Sequence, residues 1–453
     1  MHPSEWLEQL DWMSELFDYI RLPSISSQGE KVRLTAEFAQ NLMKKSGIQS
    51  ELVETSGNPV IIGENHGTGA SVLIYGHYDV QPPGNLHQWE TDPFEPVYKK
   101  GKIWGRGSAD NKGQHFAHLL ALRYLNEYDQ ETFRKIKVKI LLDGDEERGS
   151  FSLPPVLQKY RKKLQSDFIL ISDGPSLVPD RPTIVGSVRG IFGFQITIRH
   201  GKDLHSGNYG GISRSATADL IDLLRSMVDG NGMCKINGFY DDVLPPSAKE
   251  LEYLQQLNPI YENILQSAPL TPAPSIQGKD AKFLNQFFPT FNINGLSAGG
   301  VDTQRRTIIP GEAKASIDCR MVPNMNSERL KNIIDNHIRL WAQKRGILDN
   351  VFVEYESPME PVQSSLDSPY MDVVATGLKK GFAVDPLIVP RLGGSLPIYL
   401  FPHILKAPTF LIPFALPDEN NHAPNENLDV EYFKKGVFAS IAILQSVAQL
   451  KKS

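Results

Sequence analysis

The sequence predicts an α/β protein with a mostly parallel sheet in one domain and an inserted α+β domain. Short apolar runs at residues 71–76, 138–142 and 168–171 are separated by helical patterns, which is typical of buried parallel strands. From about residue 192, apolar and polar residues alternate strictly, which indicates strands with one solvated face. At 453 residues the chain is also too long for one compact core, so two domains are expected.

The chain is predicted to begin with a single helix. Apolar residues from Trp6 to Ile20 recur at alternating steps of four and three, forming one stripe on a helix that ends before Pro23. Helical patterns at residues 116–128 and 154–164 lie between the apolar runs. A loop is expected at residues 269–274, where prolines are frequent.

The inserted domain is predicted from a change in the pattern. Alternating strands at residues 192–199 and 313–321 accompany helical patterns at 216–228 and 327–341, which indicates an antiparallel sheet with helices. After Pro361 the alternation of helices and apolar runs returns. We therefore predict domain boundaries of 1–190, 191–361 and 362–453, with the first and last ranges forming one domain.

Composition is that of an ordinary globular protein. Apolar residues make up 40% and charged residues 22%, and the net charge of −5 comes without a basic cluster, so no nucleic-acid partner is expected. No apolar run has membrane-spanning length, and the N-terminal segment is acidic rather than secretory in pattern, so no membrane partner is expected. With Cys234 and Cys319 as its only cysteines, the protein is predicted to be cytoplasmic.

Ligand-type side chains follow each of the three apolar runs. His77 and Asp79 come after the first run, Glu146 and Glu147 after the second, and Asp173 after the third. Open α/β sheets bind their ligands beyond the carboxyl ends of the strands, so we expect these side chains to converge there.

Taken singly, these residues have ordinary structural explanations. His77 would be a polar residue at a strand end, Asp110 the N-cap of the next helix, and the remaining acids parts of solvated turns. Together with His422, however, they form the nitrogen and oxygen ligand set that zinc or manganese accepts. Two divalent cations and a bridging hydroxide would neutralise the carboxylates of Asp110, Glu147 and Asp173, which would otherwise repel one another.

The local spacing suggests individual roles. His77 and Asp79 are two apart, so on an extended segment the carboxylate can hydrogen-bond the second imidazole nitrogen. Glu146 and Glu147 are adjacent and point in different directions, so Glu147 can bind metal while Glu146 serves as general base. Metal binding lowers the pKa of the bound water toward about 7, within reach of a carboxylate base.

The sequence resembles the M20 family of metallopeptidases, specifically its cytosolic dipeptidase and carnosinase-like branch. The motifs that carry this resemblance span most of the chain and occur in the family's order. They are RLPSIS from Arg21, GHYDVQP from Gly76, GRGSADNKG from Gly105, DGDEERGS from Asp143, SDGP from Ser172, SVRG from Ser187, DLHSGNYGG from Asp203, GFYDDV from Gly238, RLGGSLP from Arg391 and NHAPNEN from Asn421.

The resemblance implies a metal centre with two divalent cations per chain, zinc in the first place and manganese or cobalt as alternatives. His77, Asp110 and Asp173 would hold one cation, and Glu147 and His422 the other, with Asp110 bridging. Relatives carry EGEEEIGS where this chain has DGDEERGS, and this departure concerns metal preference and rate rather than the reaction class.

The resemblance also implies that residues 191–361 are a lid that forms a homodimer. His205 would polarise the scissile carbonyl, often in the partner's site, and Arg320 would bind the terminal carboxylate of the substrate. Gly394 and Ser395 would contact the same end of the substrate, assisted by Thr307. The ordinary alternatives are surface residues for His205 and Arg320 and a plain glycine turn at Gly394.

The function implied is cleavage of the amide bond of dipeptides or similarly small peptides through a metal-bridging hydroxide, with Glu146 as general base and Asp79 orienting His77. An N-acyl or N-carbamoyl amino acid amidohydrolase of the same family is an alternative, because the same cluster would serve. A catalytically inactive relative that only binds peptides is a second alternative.

Overall fold

The computed structural model describes residues 1–267, 280–301, 305–364 and 366–450, and the loop expected at 269–274 lies outside them. The helices, in chain order, are α1 Pro3–Gln9, α2 Trp12–Ile20, α3 Gly29–Lys45, α4 Lys112–Tyr128, α5 Gln130–Lys135, α6 Leu153–Lys159, α7 Arg161–Leu164, α8 Ser206–Tyr209, α9 Ala216–Met227, α10 Ala248–Gln256, α11 Asn258–Ser267, α12 Ala281–Phe287, α13 Ser327–Arg345, α14 Pro369–Phe382, α15 Leu400–Leu405 and α16 Val430–Val447. Among the described helices, none has the length and apolar character needed to cross a bilayer.

The strands are β1 Gln49–Val53, β2 Val60–Glu64, β3 Ser71–His77, β4 Val97–Lys99, β5 Lys102–Trp104, β6 Lys137–Asp143, β7 Phe168–Ile171, β8 Thr183–Val185, β9 Ser187–Val188, β10 Gly190–Arg199, β11 Leu204–His205, β12 Thr290–Ala298, β13 Ile308–Ile309, β14 Glu312–Met321, β15 Val351–Tyr355, β16 Val362–Gln363, β17 Leu387–Val389, β18 Thr409–Leu411 and β19 Asn427–Asp429.

The chain divides into two compact units. The first contains residues 1–186, 364–389 and 400–453, and the second contains 187–363 and 390–399. Residues 390–399 were predicted to lie in the first domain because helical patterns and apolar runs alternate again after Pro361. These residues belong to the second unit, where Arg391 forms a buried ion pair with Glu250 at 3.0 Å.

An eight-stranded mixed sheet forms the centre of the first unit, in the order β1-β2-β6-β3-β7-β18-β8-β17. Its central strands β6, β3, β7 and β18 run parallel, while β1 and β2 pair antiparallel at one edge. All of the residues of β7 are buried, and all but the first of β3 and β6, which explains their continuous apolar runs. The predicted fold class, α/β with a mostly parallel central sheet, is confirmed.

The N-terminal helix predicted from one apolar stripe is in fact two helices, α1 and α2. Leu10 ends the first with an extended backbone, at φ −87° and ψ 130°. Trp6 and Trp12 are both buried, although on one continuous helix their directions would differ by about 120°. The break lets both indoles reach the core, so the single-helix prediction was wrong. The predicted helix at 154–164 is likewise divided at Tyr160.

The second unit contains an antiparallel sheet in the order β12-β14-β10-β15. Phe194, Ile196 and Ile198 on β10 are buried in a core that also includes apolar residues of α9 and α13. Gln195 and Arg199 on the other face are more exposed, as the alternating pattern predicts. The unit is thus an α+β structure with helices packed on one sheet face.

Helices α14 and α16 of the first unit pack closely because small residues line their contact. A Cβ added to Gly377 would lie 2.2 Å from Cγ1 and 2.7 Å from the main-chain nitrogen of Ile443, so the backbone of α16 would have to shift.

We expect Gly377→Ala to lower the free energy of unfolding by roughly 1–3 kcal/mol, although alanine is the better helix former, because the added methyl overpacks the contact. Urea denaturation measures the change. Gly29→Ala is the control, because its added Cβ would lie 3.6 Å from the nearest atom, in Asn58. Equal effects of the two substitutions would contradict the close packing.

Candidate active site

Three neighbouring parallel strands of the first unit end beside ligand-type side chains. His77 is the last residue of β3, a short turn carrying Glu146 and Glu147 follows β6, and Asp173 follows β7. Asp110 lies just before α4. These positions are adjacent because β3 pairs with both β6 and β7, so the carboxyl ends of the three strands meet.

Two groups of potential metal ligands share the carboxylate of Asp110. In the first group, His77 Nε2 lies 3.0 Å from Asp110 Oδ1 and 3.8 Å from Asp173 Oδ2. In the second group, His422 Nε2 lies 3.1 Å from both Asp110 Oδ2 and Glu147 Oε2. The structure therefore brings together the five residues for which the sequence predicts metal ligation.

The residues present fit divalent cations. His77 Nε2 is buried and has no hydrogen-bond partner among the described residues, as expected for a nitrogen that donates its lone pair to a metal. Burial, with the nearby charge of Asp110, raises the pKa of Asp173 to about 6. Crowded buried carboxylates are unfavourable unless positive charge compensates them, and two cations would supply it.

Asp79 contacts His77 and the turn after β6 on the side away from the ligand groups. His77 Nδ1 lies 3.3 Å from Asp79 Oδ1 and 3.1 Å from the Asp79 carbonyl oxygen, which leaves Nε2 to face the cluster. The Asp79 carboxylate also accepts hydrogen bonds from the Ser26 hydroxyl and from the main-chain N–H groups of Glu146 and Glu147. One buried carboxylate thereby fixes both the imidazole and the turn that carries the two glutamates.

Glu146 and Glu147 have different surroundings, as their adjacency predicts. Gln81 donates to both oxygens of Glu147, from its main-chain nitrogen at 3.1 Å and from Nε2 at 2.9 Å. Glu146 Oε2 lies 3.8 Å from His77 Nε2. Burial, to which the charges of Asp173 and Glu147 add, raises the pKa of Glu146 well above its ordinary value. A carboxylate of raised pKa beside the cluster is suited to accept a proton.

The departure DGDEERGS lies outside the ligand groups. Asp145 accepts hydrogen bonds from Asn58 and from the hydroxyl of Ser152, and its main-chain N–H donates to Asp143 Oδ1. Arg148 Nη1 donates to the carbonyl of Ser26. These residues shape the turn after β6 and belong to neither ligand group.

Glu426, which was not predicted from the sequence as a site residue, holds the loop carrying Asp110. Its carboxylate accepts the main-chain N–H groups of Gly107, Ala109 and Asp110 at 2.9–3.0 Å and an Arg106 Nη1 donor at 2.7 Å. Arg106 and Glu426 are both almost fully buried. The motifs GRGSADNKG and NHAPNEN are therefore linked by one buried carboxylate, a long-range contact that spacing alone does not reveal.

Glu419 is a second acid that the sequence analysis missed. Both of its carboxylate oxygens are buried without a hydrogen-bond partner among the residues that the structure describes. Burial, with the charges of Asp110 and Glu426, raises the pKa of Glu419 to about 10. Glu419 is therefore a further buried carboxyl group near the ligand groups.

The other predicted site residues belong to the second unit and form two local groups there. Arg320, near the end of β14, donates from Nη1 to the hydroxyl of Ser395 at 2.9 Å, and the exposed Gly394 precedes that serine. His205 on β11 is exposed and accepts the N–H of Gly207 at Nδ1. Thr307 lies on the neighbouring segment, where its carbonyl accepts the N–H of Ser206.

An α/β sheet with a histidine and carboxylate cluster at its carboxyl edge is the arrangement expected of a metallohydrolase. Residues 73–446 match the model for Peptidase family M20/M25/M40, and the chain belongs to this family. The family predicted from the motifs and the predicted enzyme class, a metallopeptidase, are thereby confirmed.

Similar curated proteins include two dipeptidases. The Beta-Ala-His dipeptidase of Homo sapiens is 28% identical over 86% of this chain and 78% of its own length. The Cys-Gly metallodipeptidase DUG1 of Candida albicans is 30% identical over 89% of this chain and 84% of its own.

Similar solved structures cover nearly the whole chain. The M20 family metallo-carboxypeptidase Sso-CP2 from Sulfolobus solfataricus has a TM-score of 0.85 at 28% identity, covering 98% of this chain and all of that one. Human carnosine dipeptidase 1 has a TM-score of 0.75 at 25% identity, covering 99% and 97%.

We expect Glu426→Gln to lower the free energy of unfolding by about 3–5 kcal/mol, because it leaves the buried guanidinium of Arg106 without its counter-charge. Urea denaturation measures the change. Glu431→Gln is the matched control, since Glu431 is exposed and pairs with Lys434 at the surface, and little change is expected there. A loss no larger than that of the control would contradict the role assigned to Glu426.

Proposed function

We propose that this chain hydrolyses the amide bond of dipeptides or similarly small peptides with two divalent cations. The observation that carries this proposal is the pair of ligand groups sharing Asp110, which matches the composition of a two-cation site. Membership of the peptidase family and the dipeptidase names of the similar proteins support the reaction and the small substrate.

His77, Asp110 and Asp173 would hold the first cation, and Asp110, Glu147 and His422 the second. Zinc suits this nitrogen and oxygen ligand set, with manganese or cobalt as alternatives. When bound, the cations would lower the pKa of water and polarise the scissile carbonyl. Glu146 accepts the proton of the attacking water and returns it to the leaving amine, while Asp79 keeps the His77 ring in its ligating orientation.

The second unit would supply substrate recognition. Arg320 carries a planar guanidinium suited to bidentate binding of the terminal carboxylate, and Ser395 with Gly394 would contact the same group. His205 is proposed to polarise the carbonyl, with Thr307 assisting, in its own or a partner's site. These two roles, and a homodimer formed through the lid, rest on the family resemblance. A cytoplasmic location likewise stays a prediction from the sequence.

The decisive experiment compares substrates after reconstitution with zinc, manganese or cobalt in turn. Rates on Ala-Gly, Cys-Gly and β-Ala-His are measured beside rates on N-acetyl and N-carbamoyl amino acids. Faster cleavage of the dipeptides supports the proposal, whereas preference for the acyl substrates makes the chain an amidohydrolase. Binding of dipeptides without turnover under every metal would indicate an inactive relative.

We expect Glu146→Gln to keep both cations but to lose at least about 100-fold in kcat on the best dipeptide, because the amide cannot accept the proton. Steady-state kinetics and elemental analysis of the same sample test this. Glu131→Gln, on an exposed helix face beside Lys135, controls for the loss of a glutamate. Unchanged turnover in Glu146→Gln would reject Glu146 as the base.

Asp110→Ala should release both cations, because each ligand group loses its shared carboxylate. Asp173→Ala should weaken only the first cation, since Asp110, Glu147 and His422 remain. Metal content after dialysis distinguishes these outcomes. Two cations retained per chain in Asp110→Ala would contradict a bridging role.

A further inference from the structure

The amide of Asn111, next to Asp110, has partners that fix its orientation. Its Oδ1 accepts the main-chain N–H of His77 at 3.3 Å, and its Nδ2 donates to the carbonyl of Ser172 at 2.6 Å and to Asp173 Oδ1 at 3.1 Å. A main-chain N–H only donates, so the atom facing His77 has to be the oxygen. The NH₂ group therefore faces Asp173.

This orientation determines the tautomer of His115 on α4. His115 Nδ1 lies 3.2 Å from Asn111 Oδ1, which can only accept, so Nδ1 carries a proton. His115 Nε2 lies 3.1 Å from the hydroxyl of Tyr19. Burial lowers the pKa of His115 well below its ordinary value, so the ring is neutral and Nε2 accepts the Tyr19 hydrogen. The chain of donors runs from Tyr19 through His115 to Asn111.

The fixed amide of Asn111 determines which oxygen of Asp173 is hydrogen-bonded. Its Oδ1 accepts hydrogen bonds from Asn111 Nδ2 at 3.1 Å and from the N–H of Gly174 at 2.7 Å. Its Oδ2 is the oxygen that lies toward His77 Nε2, at 3.8 Å. Two donors therefore occupy one oxygen of Asp173 and leave the other for the ligand group.

Gly76 provides the space for this arrangement. A Cβ added there would lie 2.9 Å from Asn111 Oδ1 and 2.7 Å from the Cβ of His115. Only glycine at this position of β3 lets Asn111 and His115 approach the strand immediately before His77. The strand, the amide and the imidazole are thus packed as one unit.

We propose that Tyr19 and His115 are positioning residues that hold the Asn111 amide, so that Asp173 offers a single oxygen to the cation it shares with His77. The inference rests on the proposed two-cation function and concerns only the first of the two ligand groups. None of the three residues was singled out by the sequence analysis. Their effect acts through Asp173 rather than by contact with substrate.

The test measures the stepwise zinc affinities of the full chain by chelator competition. His115→Phe keeps a buried ring but removes the Nδ1 donor, and should weaken the first cation by about 10- to 100-fold while leaving the second unchanged. His115→Asn, whose Nδ2 takes the place of Nδ1, should restore most of that affinity. His337→Phe is the control, since His337 is a half-buried histidine of the second unit that bonds the hydroxyl of Ser226.

A second measurement does not depend on any substitution. Long-range proton–nitrogen NMR of ¹⁵N-histidine-labelled protein should show His115 protonated at Nδ1 and unprotonated at Nε2. The opposite tautomer, unchanged zinc affinity in His115→Phe, or equal weakening of both cations would overturn the proposal. These readouts are independent of turnover: a wild-type chain without dipeptidase activity would refute the proposed function, whereas a normal wild type with an unaffected His115→Phe would refute only this inference.

Discussion

The shared carboxylate of Asp110 is the interaction on which the rest of the site depends. One of its oxygens faces His77, from the end of a central strand, and the other faces His422, from a loop near the end of the chain. Asp110 can do this only if the loop before α4 is held in place, and Glu426 holds it with three main-chain donors and Arg106. The segment that carries His422 therefore also carries Glu426, which positions Asp110 opposite His422.

The ligand groups bring together more buried carboxyl groups than the neighbouring basic side chains can neutralise. Burial by itself would raise the pKa of Asp110, but the nearby imidazoles of His422 and His77 lower it, while Asp173 and Glu419 have raised pKa values. The pKa of His422 is raised to about 10 by its bonds to Asp110 and Glu147. In the absence of cations, protons thus take up part of the charge that the metals would balance.

The sequence predicted those parts of the structure that are encoded locally. The run at residues 168–171 coincides with β7 because a strand buried on both faces has no polar position, and ligand-type residues mark its carboxyl end. The apolar stripe from Trp6 to Ile20 predicted one helix, and this was wrong. The break at Leu10 allows both Trp6 and Trp12 to be buried, and such tertiary contacts are not visible in the periodicity of the sequence. Glu426 and Asn111 were missed for a related reason, since their partners lie far away in sequence or depend on an amide orientation.

The assignment of residues 390–399 to the second unit matters for substrate recognition. Leu392 forms a bridge with Val188, the carbonyl of Gly393 accepts a hydrogen bond from Arg189 Nε at 2.8 Å, and Arg391 is paired with Glu250. These contacts attach the RLGGSLP segment to the sheet unit that carries Arg320, although elements of the first unit precede and follow it. Arg320 and Ser395, the two side chains proposed to bind the substrate carboxylate, are therefore held within one compact unit. Their mutual geometry therefore follows from packing inside that unit.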